Sequence, residues 1–400
     1  MERYSEYKDS GVKWLGEIPS HWEVMPIKHS YKFTVGWTPP TGRNDLFEGN
    51  NLWANISDLG KKEINNTANR ISDSAVRLSG RSMSPKGSLL YSFKLSVGTV
   101  SFCGADMYTN EAIATFLKGK NSLKYLYYAA PIFIIKNANT NIYGAPILNQ
   151  DLIKNALVLL PPRSEQDAIV RYLDAATSKI DKAIDMQQKM IDLLNERKQI
   201  IIQNAVTKGL DENVEMKDSG VEWIGMIPKH WEICPFKRLI KIKNGADYKK
   251  YEVQDNGFPV IGSGGVFAYS SKYAYDGESL LLGRKGTIDK PMYFKGKFWT
   301  VDTMFYGIPK DNADCKYLYY QALTIPFKLY ATSTAIPSMT QTDLYNNPMC
   351  FPCKEEQKAI ADYLDLAIKP FDSAITNCQR QITLLQERKQ IIINEVVTGK

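Results

Sequence analysis

The sequence predicts a mixed α/β (α+β) fold. It has two globular domains separated by two long antiparallel helices that form a coiled coil, arranged as a pseudo-two-fold internal repeat. Three observations predict this fold: segments of the chain recur in the same order, two long stretches have apolar residues at heptad spacing, and short strand-like runs precede each stretch. The 400 residues are enough for two to four domains.

The internal repeat is the strongest of these signals, because four matches in one order do not arise by chance. The recurring segments are KDSGVKWLGEIPSHWE at 8–23 and KDSGVEWIGMIPKHWE at 217–232, SEQDAIVRYLD at 164–174 and EEQKAIADYLD at 355–365, LLNERKQIIIQNAVT at 193–207 and LLQERKQIIINEVVT at 384–398, and KYLYY at 124–128 and 316–320. The first pair is offset by 209 residues and the next two pairs by 191.

The repeat predicts six segments. In chain order they are an N-terminal motif at 1–23, a first globular block at 24–160, a central long helix at 161–209, the repeated motif at 210–232, a second globular block at 233–351 and a C-terminal long helix at 352–400. The two blocks differ from each other far more than the motifs and helices do.

The two long helices follow from apolar residues that alternate at intervals of four and three, the heptad pattern of a coiled coil. The first series is Ile169, Leu173, Ala176, Ile180, Ala183, Gln187, Met190, Leu194, Lys198, Ile201 and Ala205. The second series is Ile360, Leu364, Ala367, Phe371, Ala374, Cys378, Gln381, Leu385, Lys389, Ile392 and Val396.

A helix of about 40 residues is roughly 60 Å long, which is too long for the interior of one domain. We therefore expect helices near 164–206 and 355–397 to pair antiparallel. The alternative is that each helix packs only on its own block. Pro370 lacks a backbone N–H, so we expect it to kink or interrupt the second helix.

The globular blocks contain short apolar runs cut by Gly, Asn and Asp, the pattern of a mixed α/β domain with many turns. The runs that predict strands are SLLYSF at 88–93, GTVSF at 98–102, SLLLGR at 279–284 and KFWTVDTMFYGI at 297–308.

Positive charge is concentrated in these blocks. Residues 24–160 contain 15 Lys and Arg against 8 Asp and Glu, and residues 233–351 contain 15 against 10, whereas the whole chain has a net charge of +7. The remaining segments are therefore acidic. Two basic blocks joined by acidic connections favour two nucleic-acid-binding modules, although ordinary surface lysine explains the charge equally well.

The sequence gives no sign of a membrane span or a signal peptide, because it has no run of eighteen apolar residues and its first residues are polar. The six cysteines are sparse and irregular, which indicates free thiols in a reducing cytoplasm.

Motifs for nuclease, methyltransferase or ATPase chemistry are not complete in the sequence. Glu215–Lys217 and Glu356–Lys358 have the spacing of a nuclease metal site, but their positions favour solvated surface. The Gly-rich stretch VIGSGGVF at 260–267 is not followed by an amphipathic helix, as a cofactor-binding turn requires. No GKS or GKT phosphate loop is present.

Metal-site motifs are also incomplete. Cys350 and Cys353 form a CxxC pair without a second pair or a nearby His, so the end of a strand is the favoured interpretation. His21 and His230 occupy the same place in the repeated HWE motif, which favours packing and hydrogen bonding.

A duplicated framework that carries two divergent basic blocks resembles the specificity subunit of type I restriction-modification systems, over essentially the whole chain. The segments similar to the family's target-recognition motifs are VGWTPPTGRN at 35–44, NLWANISDL at 51–59, KGSLLYSFKLSVGTV at 86–100, MYTNEAIATF at 107–116, FPVIGSGGV at 258–266, SLLLGRKGTIDKP at 279–291 and FWTVDTMFY at 298–306. The start and end of each long helix resemble the family's conserved regions, and Pro370 departs from them.

The resemblance implies a non-catalytic subunit of a methyltransferase and endonuclease complex in the bacterial or archaeal cytoplasm. Each block would be a target-recognition domain for one half of a bipartite, asymmetric double-stranded DNA target, and the helices would fix the spacer between the half-sites. Two methyltransferase subunits and restriction (translocase-nuclease) subunits would join this chain. S-adenosylmethionine, ATP and Mg²⁺ would belong to those partners, and this chain would hold no cofactor or metal.

Loop position, hydrogen-bonding capacity and charge select the residues that we expect to contact DNA. In the first block they are Thr38, Arg43, Asn44, Arg81, Ser92 and Lys94. In the second block they are Ser263, Gly264, Arg284, Lys285, Thr287 and Lys290.

Two other functions stay open at this stage. The first is a scaffold whose two blocks bind peptides, although the basic loop at 283–286 favours phosphate contacts. The second is a fused restriction subunit similar to type II enzymes, against which the incomplete cofactor and metal motifs argue.

Overall fold

The computed structural model describes residues 4–329 and 337–400. The chain forms two compact units: unit 1 comprises Met1–Asp185 and Ile382–Lys400, and unit 2 comprises Met186–Gln381. Each unit contains one globular block, part of the first long helix and part of the second. The six-segment division along the chain stays a prediction.

The helices of the described residues include the two predicted long helices, which are α5 and α8. In chain order the α-helices are α1 (Ile27–Ser30), α2 (Asp73–Ser79), α3 (Leu123–Phe133), α4 (Gln150–Asn155), α5 (Arg163–Lys208), α6 (Cys315–Ala322), α7 (Gln341–Asn346) and α8 (Lys354–Thr398).

Unit 1 is built on a five-stranded sheet with the order β4-β11-β8-β9-β6 and a three-stranded sheet with the order β10-β5-β7. Its strands are β1 (Tyr7–Asp9), β2 (Glu17–Pro19), β3 (Glu23–Pro26), β4 (Phe33–Val35), β5 (Asn51–Ala54), β6 (Glu63–Ile64), β7 (Asn69–Ile71), β8 (Leu89–Ser92), β9 (Val100–Cys103), β10 (Tyr108–Thr109), β11 (Ile113–Phe116), β12 (Asn139–Thr140), β13 (Pro146–Ile147) and β14 (Leu157–Leu160).

Unit 2 is built on a seven-stranded sheet with the order β18-β24-β22-β23-β20-β21-β19. Its strands are β15 (Met216–Asp218), β16 (Met226–Pro228), β17 (Glu232–Pro235), β18 (Ile240–Asn244), β19 (Glu252–Val253), β20 (Phe258–Gly262), β21 (Gly265–Ser270), β22 (Tyr275–Gly283), β23 (Met292–Thr300), β24 (Met304–Pro309) and β25 (Pro348–Phe351). The predicted run 297–308 is therefore two strands, because a turn at 301–303 separates β23 from β24.

The long helices run antiparallel within each unit, as predicted. In unit 1, Lys389 Nζ lies 2.6 Å from Asp181 Oδ1, and Val397 near the end of α8 shares a core with Ile169 near the start of α5. In unit 2 the equivalent pair, Lys198 and Asp372, is also 2.6 Å apart. The alternative that each helix packs only on its own block is wrong.

One position of the predicted heptad series in α5 is wrong. Met190 is 49% exposed, whereas the next residue, Ile191, is only 7% exposed and belongs to the buried side. A straight α-helix has 3.6 residues per turn, so a strict heptad series drifts around it by about 20° per repeat. The drift has moved the buried stripe by one residue at this point.

Pro370 does not interrupt α8, which continues from Lys354 to Thr398 with the proline inside it. Proline leaves the carbonyl of the residue four positions earlier without its helical donor. That residue is Leu366, which is 75% exposed, so water can satisfy its carbonyl. The predicted interruption is therefore wrong, because Pro370 lies on the side of α8 that faces solvent.

The repeated HWE motif holds the first turn of each long helix. The indole Nε1 of Trp22 donates to Glu165 at 2.9 Å, and His21 Nε2 lies 2.7 Å from the other carboxylate oxygen. In unit 2, Glu356 pairs in the same way with Trp231 at 3.0 Å and His230 at 3.1 Å. The predicted structural role of the two histidines is thus confirmed.

The next residue of each helix, a buried glutamine, joins the helix to its globular block. Gln166 accepts the backbone N–H of Ser122 at 2.9 Å and donates to the Pro161 carbonyl at 2.9 Å. Gln357 makes the equivalent bonds with Asp314 at 2.8 Å and Pro352 at 3.0 Å. Ser122 and Asp314 are the N-caps of α3 and α6, so each glutamine fixes the start of a helix in the block.

The repeated KYLYY segment forms α3 and α6, and its tyrosines contact both long helices. Tyr125 is fully buried, with its hydroxyl 2.9 Å from the Leu159 carbonyl and 3.4 Å from the Val397 carbonyl of α8. Tyr128 donates to Asp174 of α5 at 2.6 Å. Unit 2 repeats these contacts through Tyr317 with Cys350 and Val206, and through Tyr320 with Asp365.

The N-terminal motif packs on the end of α8, so the two ends of the chain meet in unit 1. Trp22 shares a core with Val397, and the Tyr7 hydroxyl donates to the Gly399 carbonyl at 3.0 Å. The twin motif in unit 2 places Trp231 beside Gly209, directly after α5. Trp14 does not join this contact: it is 39% exposed and packs on Phe133 with ring centroids 5.6 Å apart.

These contacts predict different costs for two tryptophans of one motif. Trp22→Ala should lower the free energy of unfolding by about 3–5 kcal/mol, because it leaves a cavity and removes the donor to Glu165. Trp14→Ala, the matched control, should cost about 1 kcal/mol because the side chain is partly exposed. Urea unfolding followed by circular dichroism measures both, and equal losses would contradict the packing described.

Candidate nucleic-acid interface

In unit 2, three chain segments converge on the turn at 301–303. The backbone N–H of Gly245, just after β18, donates to the Met304 carbonyl at 3.0 Å. Val301 donates to Ile261 in β20 at 3.4 Å, and Arg284, just after β22, donates to Thr303 at 2.9 Å. The loops that follow β18, β20 and β22 therefore lie side by side.

Unit 1 has the same arrangement around the turn at 110–112. Gly36, just after β4, donates to the Ile113 carbonyl at 3.4 Å, and Trp37 donates to Thr109 at 2.8 Å. Phe93, just after β8, donates to Ala112 at 2.9 Å. The diverged blocks thus keep one backbone scaffold for the loops at this position.

A glycine is required where the first loop crosses each turn. A Cβ built on Gly36 would overlap the Thr109 carbonyl oxygen, and a Cβ built on Gly245 would overlap the Val301 carbonyl oxygen. The loop therefore approaches the turn more closely than any other residue type permits. In both units a tryptophan indole N–H donates to the backbone carbonyl of the residue that follows this glycine. Trp53 donates to the Trp37 carbonyl at 3.0 Å, and Trp299 donates to the Ala246 carbonyl at 2.8 Å.

Of the residues predicted in unit 2, Arg284 and Lys285 lie directly on the turn. The Arg284 guanidinium donates to the Asp302 carbonyl at 3.3 Å and lies 5.8 Å from the Phe305 ring centroid, so its direction is fixed. Lys285 is exposed at the outer edge of the same loop. A positively charged pair with one member held by the chain and one exposed suits contact with bases and phosphates.

The other predicted residues of unit 2 lie in neighbouring loops. Ser263 and Gly264 form the turn between β20 and β21, which confirms that the Gly-rich stretch is a hairpin and not the start of a helix. Thr287 is half-buried where the loop folds back against Gly283, and Lys290 is exposed before β23. These positions place Ser263 and Gly264 beside the turn at 301–303.

In unit 1, Thr38 and Lys94 meet at one carboxylate. The Thr38 hydroxyl donates to Glu111, and Lys94 Nζ lies 3.4 Å from the second oxygen. Burial raises the pKa of Glu111, but these bonds from Thr38 and Lys94 outweigh burial and hold the pKa below its ordinary value. The loops after β4 and β8 are therefore tied together by side chains as well as by backbone.

Three further predicted residues of unit 1 are exposed near these loops. Arg81 lines a small cleft with Gly36 and Trp37, so it borders the turn at 110–112. Arg43 forms a solvent-exposed ion pair with Asp45 at 2.6 Å, and Asn44 begins the short helical turn that follows. Arg43 is therefore partly neutralised by its neighbour.

The prediction for Ser92 is wrong. Ser92 is completely buried in β8, and its hydroxyl donates to the Leu95 carbonyl at 2.5 Å. The bond closes the loop that presents Lys94. The burial of Ser92 could not be predicted from the sequence. Strand residues point alternately to two faces, and a strand with one face in solvent would expose every second residue, but both faces of β8 are covered.

Unit 2 also carries an aromatic and basic surface that was not predicted from the sequence. Phe267 and Tyr269 of β21 are 57% and 42% exposed, and Lys272 Nζ lies 4.5 Å from the Tyr251 ring centroid. Lys250 lies over the same ring at 5.9 Å. The alternation of basic and aromatic residues in YKKYE at 248–252 is the signal that identifies this surface.

Neither the CxxC pair nor any other side-chain cluster in the described residues forms a metal site: no three His, Cys, Asp or Glu come together there. Cys350 is buried in β25, as predicted for a strand end, and Cys353 is exposed after it. Glu356 of the second nuclease-like pair bonds to Trp231 and His230. Within the described part of the chain, no helix is long and apolar enough to cross a membrane.

Comparison with known proteins gives matches over almost the whole chain. The family model "Type I restriction modification DNA specificity domain" matches residues 19–190 and 228–386. The type I restriction enzyme MjaVIII specificity subunit of Methanocaldococcus jannaschii is 24% identical, over 98% of this chain and 96% of that protein. The EcoprrI specificity subunit of Escherichia coli is 22% identical, over 86% of each chain.

One solved chain has a similar fold. It comes from a structure described as the basis of complex assembly and conformational transition of the type I R-M system. The TM-score is 0.66 at 14% sequence identity, and the match covers 95% of this chain and 98% of the other.

Proposed function

The chain belongs to the family of type I restriction-modification specificity subunits, which are non-catalytic, and on that premise we propose that it recognises a bipartite double-stranded DNA target. Each globular block is a target-recognition domain that contacts one half-site. The observation that carries this proposal is the shared scaffold of loops around the turns at 110–112 and 301–303. A basic block with three neighbouring loops suits entry into a DNA groove.

The two domains recognise different half-sites because the same scaffold carries different side chains. The residue after the required glycine is Trp37 in unit 1 and Ala246 in unit 2. The residue whose backbone N–H donates to the turn is Phe93 in unit 1 and Arg284 in unit 2. Arginine bonds guanine through two donors, whereas Phe93 is buried in the core of unit 1 and presents no donor at this position, so we expect unlike half-sites.

The long helices set the number of unspecified base pairs between the half-sites. α5 is one continuous helix of 46 residues, about 69 Å at 1.5 Å per residue, and it contributes to both units. A continuous helix that both units share favours a fixed half-site spacing, as the dimer interface does in two-fold symmetric DNA-binding proteins.

The same helices dock two methyltransferase subunits, which recruit the restriction subunits and supply the S-adenosylmethionine, ATP and Mg²⁺ chemistry. The support is a set of exposed apolar side chains that recur at the 191-residue offset. Unit 1 carries Tyr172, Leu384 and Ile391, and unit 2 carries Tyr363, Leu193 and Ile200, all between 39% and 60% exposed. Because each unit carries one copy of this exposed apolar set, the chain suits two identical partner subunits.

Two substitutions in one loop test the DNA contact. Arg284→Ala should weaken binding to the target by about 1–3 kcal/mol and relax the preference for one base pair, because in the proposed complex its guanidinium contacts a base. Lys285→Ala should weaken binding to every sequence, because we propose that the lysine contacts phosphate. It should also lower the salt slope, which is the slope of log binding constant against log salt concentration, by about 1. Fluorescence anisotropy over a salt series on the assembled complex measures both.

The control for these variants is Lys229→Ala, which removes an exposed lysine paired with Glu215 in the repeated motif. It should leave affinity and salt slope unchanged. If neither Arg284→Ala nor Lys285→Ala changes affinity, the loop after β22 does not contact DNA.

The docking proposal predicts the stoichiometry of assembly. Tyr172→Ala or Tyr363→Ala alone should leave one methyltransferase subunit bound, and the double variant should bind none, because each tyrosine anchors one copy. Native mass spectrometry of the purified complex counts the subunits. Met186→Ala is the control, since Met186 is 70% exposed but has the polar Asn377 at the corresponding position. Two bound subunits in the double variant would contradict the proposal.

A further inference from the structure

The hairpin between β12 and β13 in unit 1 carries two apolar side chains that the described part of the unit leaves uncovered. Ile142 is 91% exposed and its neighbour Tyr143 is 86% exposed. They are the most exposed of the large hydrophobic residues in the described chain. Two adjacent apolar side chains at the tip of a hairpin indicate a contact with another molecule.

The tip is held in one conformation by its own hydrogen bonds. The Asn141 side chain accepts the backbone N–H groups of Tyr143 at 2.9 Å and Ala145 at 2.8 Å. The Asn141 backbone bonds Ala145 at 2.9 Å and Gly144 at 3.0 Å, and Gly144 adopts a φ of 80°, which favours glycine. A preformed tip binds without the entropic cost of ordering a loop.

The residues of unit 2 that correspond to the end of this hairpin lie at the candidate interface. Pro146 and Leu148 correspond at the 191-residue offset to Pro337 and Met339 of unit 2. There, Gly286 donates to the Pro337 carbonyl at 2.9 Å, and Met339 donates to the Arg284 carbonyl at 3.0 Å. In unit 2 the residues at these two positions therefore lie against the loop that follows β22.

Contacts within unit 1 agree with this position. Leu148, directly after β13, is buried in the same core as Phe93, the first residue of the loop that presents Lys94. Gly98, at the end of that loop, faces Pro131 of α3, and α3 leads into the hairpin. The segments on both sides of the hairpin therefore belong to the part of unit 1 that carries the loop after β8.

The charge of the segment favours DNA as its occupant. Residues 137–150 contain no acidic and no basic side chain, and Asn is their most frequent residue. The surrounding block has 15 Lys and Arg against 8 Asp and Glu. An uncharged, amide-rich tip on a basic domain approaches phosphates without repulsion, and apolar wedges of this kind separate base steps in duplex DNA.

We propose that Ile142 and Tyr143 form a wedge that enters the DNA duplex beside the first half-site, where Tyr143 stacks on a base and Ile142 holds the opened step. This inference rests on the proposed function, since it requires that unit 1 binds DNA. The wedge gives unit 1 a sensitivity to the flexibility of the base step, in addition to the hydrogen bonds of the recognition loops.

The test uses the full chain assembled with its methyltransferase subunits and a duplex that carries the methylation motif of the source genome. 2-Aminopurine replaces single adenines in and beside the first half-site, and its fluorescence rises when the base loses stacking. The wild-type complex should give a rise at one step. Ile142→Ala combined with Tyr143→Ala should abolish the rise and weaken binding about 10-fold without changing the salt slope, because the contact carries no charge.

Two further variants keep the test decisive. Tyr143→Phe should retain the signal, because the ring and not the hydroxyl stacks. Leu366→Ala, which removes a 75% exposed leucine of α8, should behave as wild type. If the double variant keeps both the rise and the affinity, or binds DNA normally but loses a methyltransferase subunit, the wedge is wrong. If the wild-type complex does not bind the duplex at all, the proposed function itself fails.

Discussion

The Glu-Gln pair at the start of each long helix is the interaction on which the rest of the structure depends. Glu165 and Glu356 receive a buried indole N–H from the repeated motif, while Gln166 and Gln357 satisfy backbone groups of the globular block. Loss of one partner would leave a buried polar group without a hydrogen bond, which costs about 1–3 kcal/mol. Two adjacent residues thus fix the motif, the helix and the block relative to one another within each unit.

The tyrosines of α3 and α6 extend this connection to the second long helix of each unit. Because Tyr125 contacts the carbonyl of Val397 and Tyr317 that of Val206, each block is anchored to both helices rather than to the one that follows it in the chain. The block interiors have diverged, but these anchors recur. The recognition loops can therefore change their side chains while their scaffold stays in place.

The sequence could predict whatever is encoded by periodicity and recurrence. The bounds of α5 and α8 and the strand at 88–93 followed from such patterns. The continuous α8 could not be predicted, since the effect of Pro370 depends on which side of the helix faces water. The shift from Met190 to Ile191, and the equivalent shift from Gln381 to Ile382 in α8, required the real helical pitch.

The candidate site was only partly predictable for a related reason. Lys94 and Lys285 were identified by charge, and they occupy equivalent positions in the two units. Ser92 was misplaced because its hydroxyl gave no sign of its burial. Gly36 and Gly245, which the loops require, stand at the 209-residue offset of the first motif, but their close contacts with the turns exist only in three dimensions.

The central claim is that one scaffold, present twice, presents two different sets of side chains to two half-sites of DNA. The most direct measurement is the pattern of adenine methylation in the genome that encodes the chain, determined by single-molecule sequencing. We expect one motif with two short, unlike half-sites separated by a fixed number of unspecified base pairs, and replacement of residues 233–351 by the block of a relative should change one half-site only. A contiguous motif, or a replacement that changes both half-sites, would contradict the account.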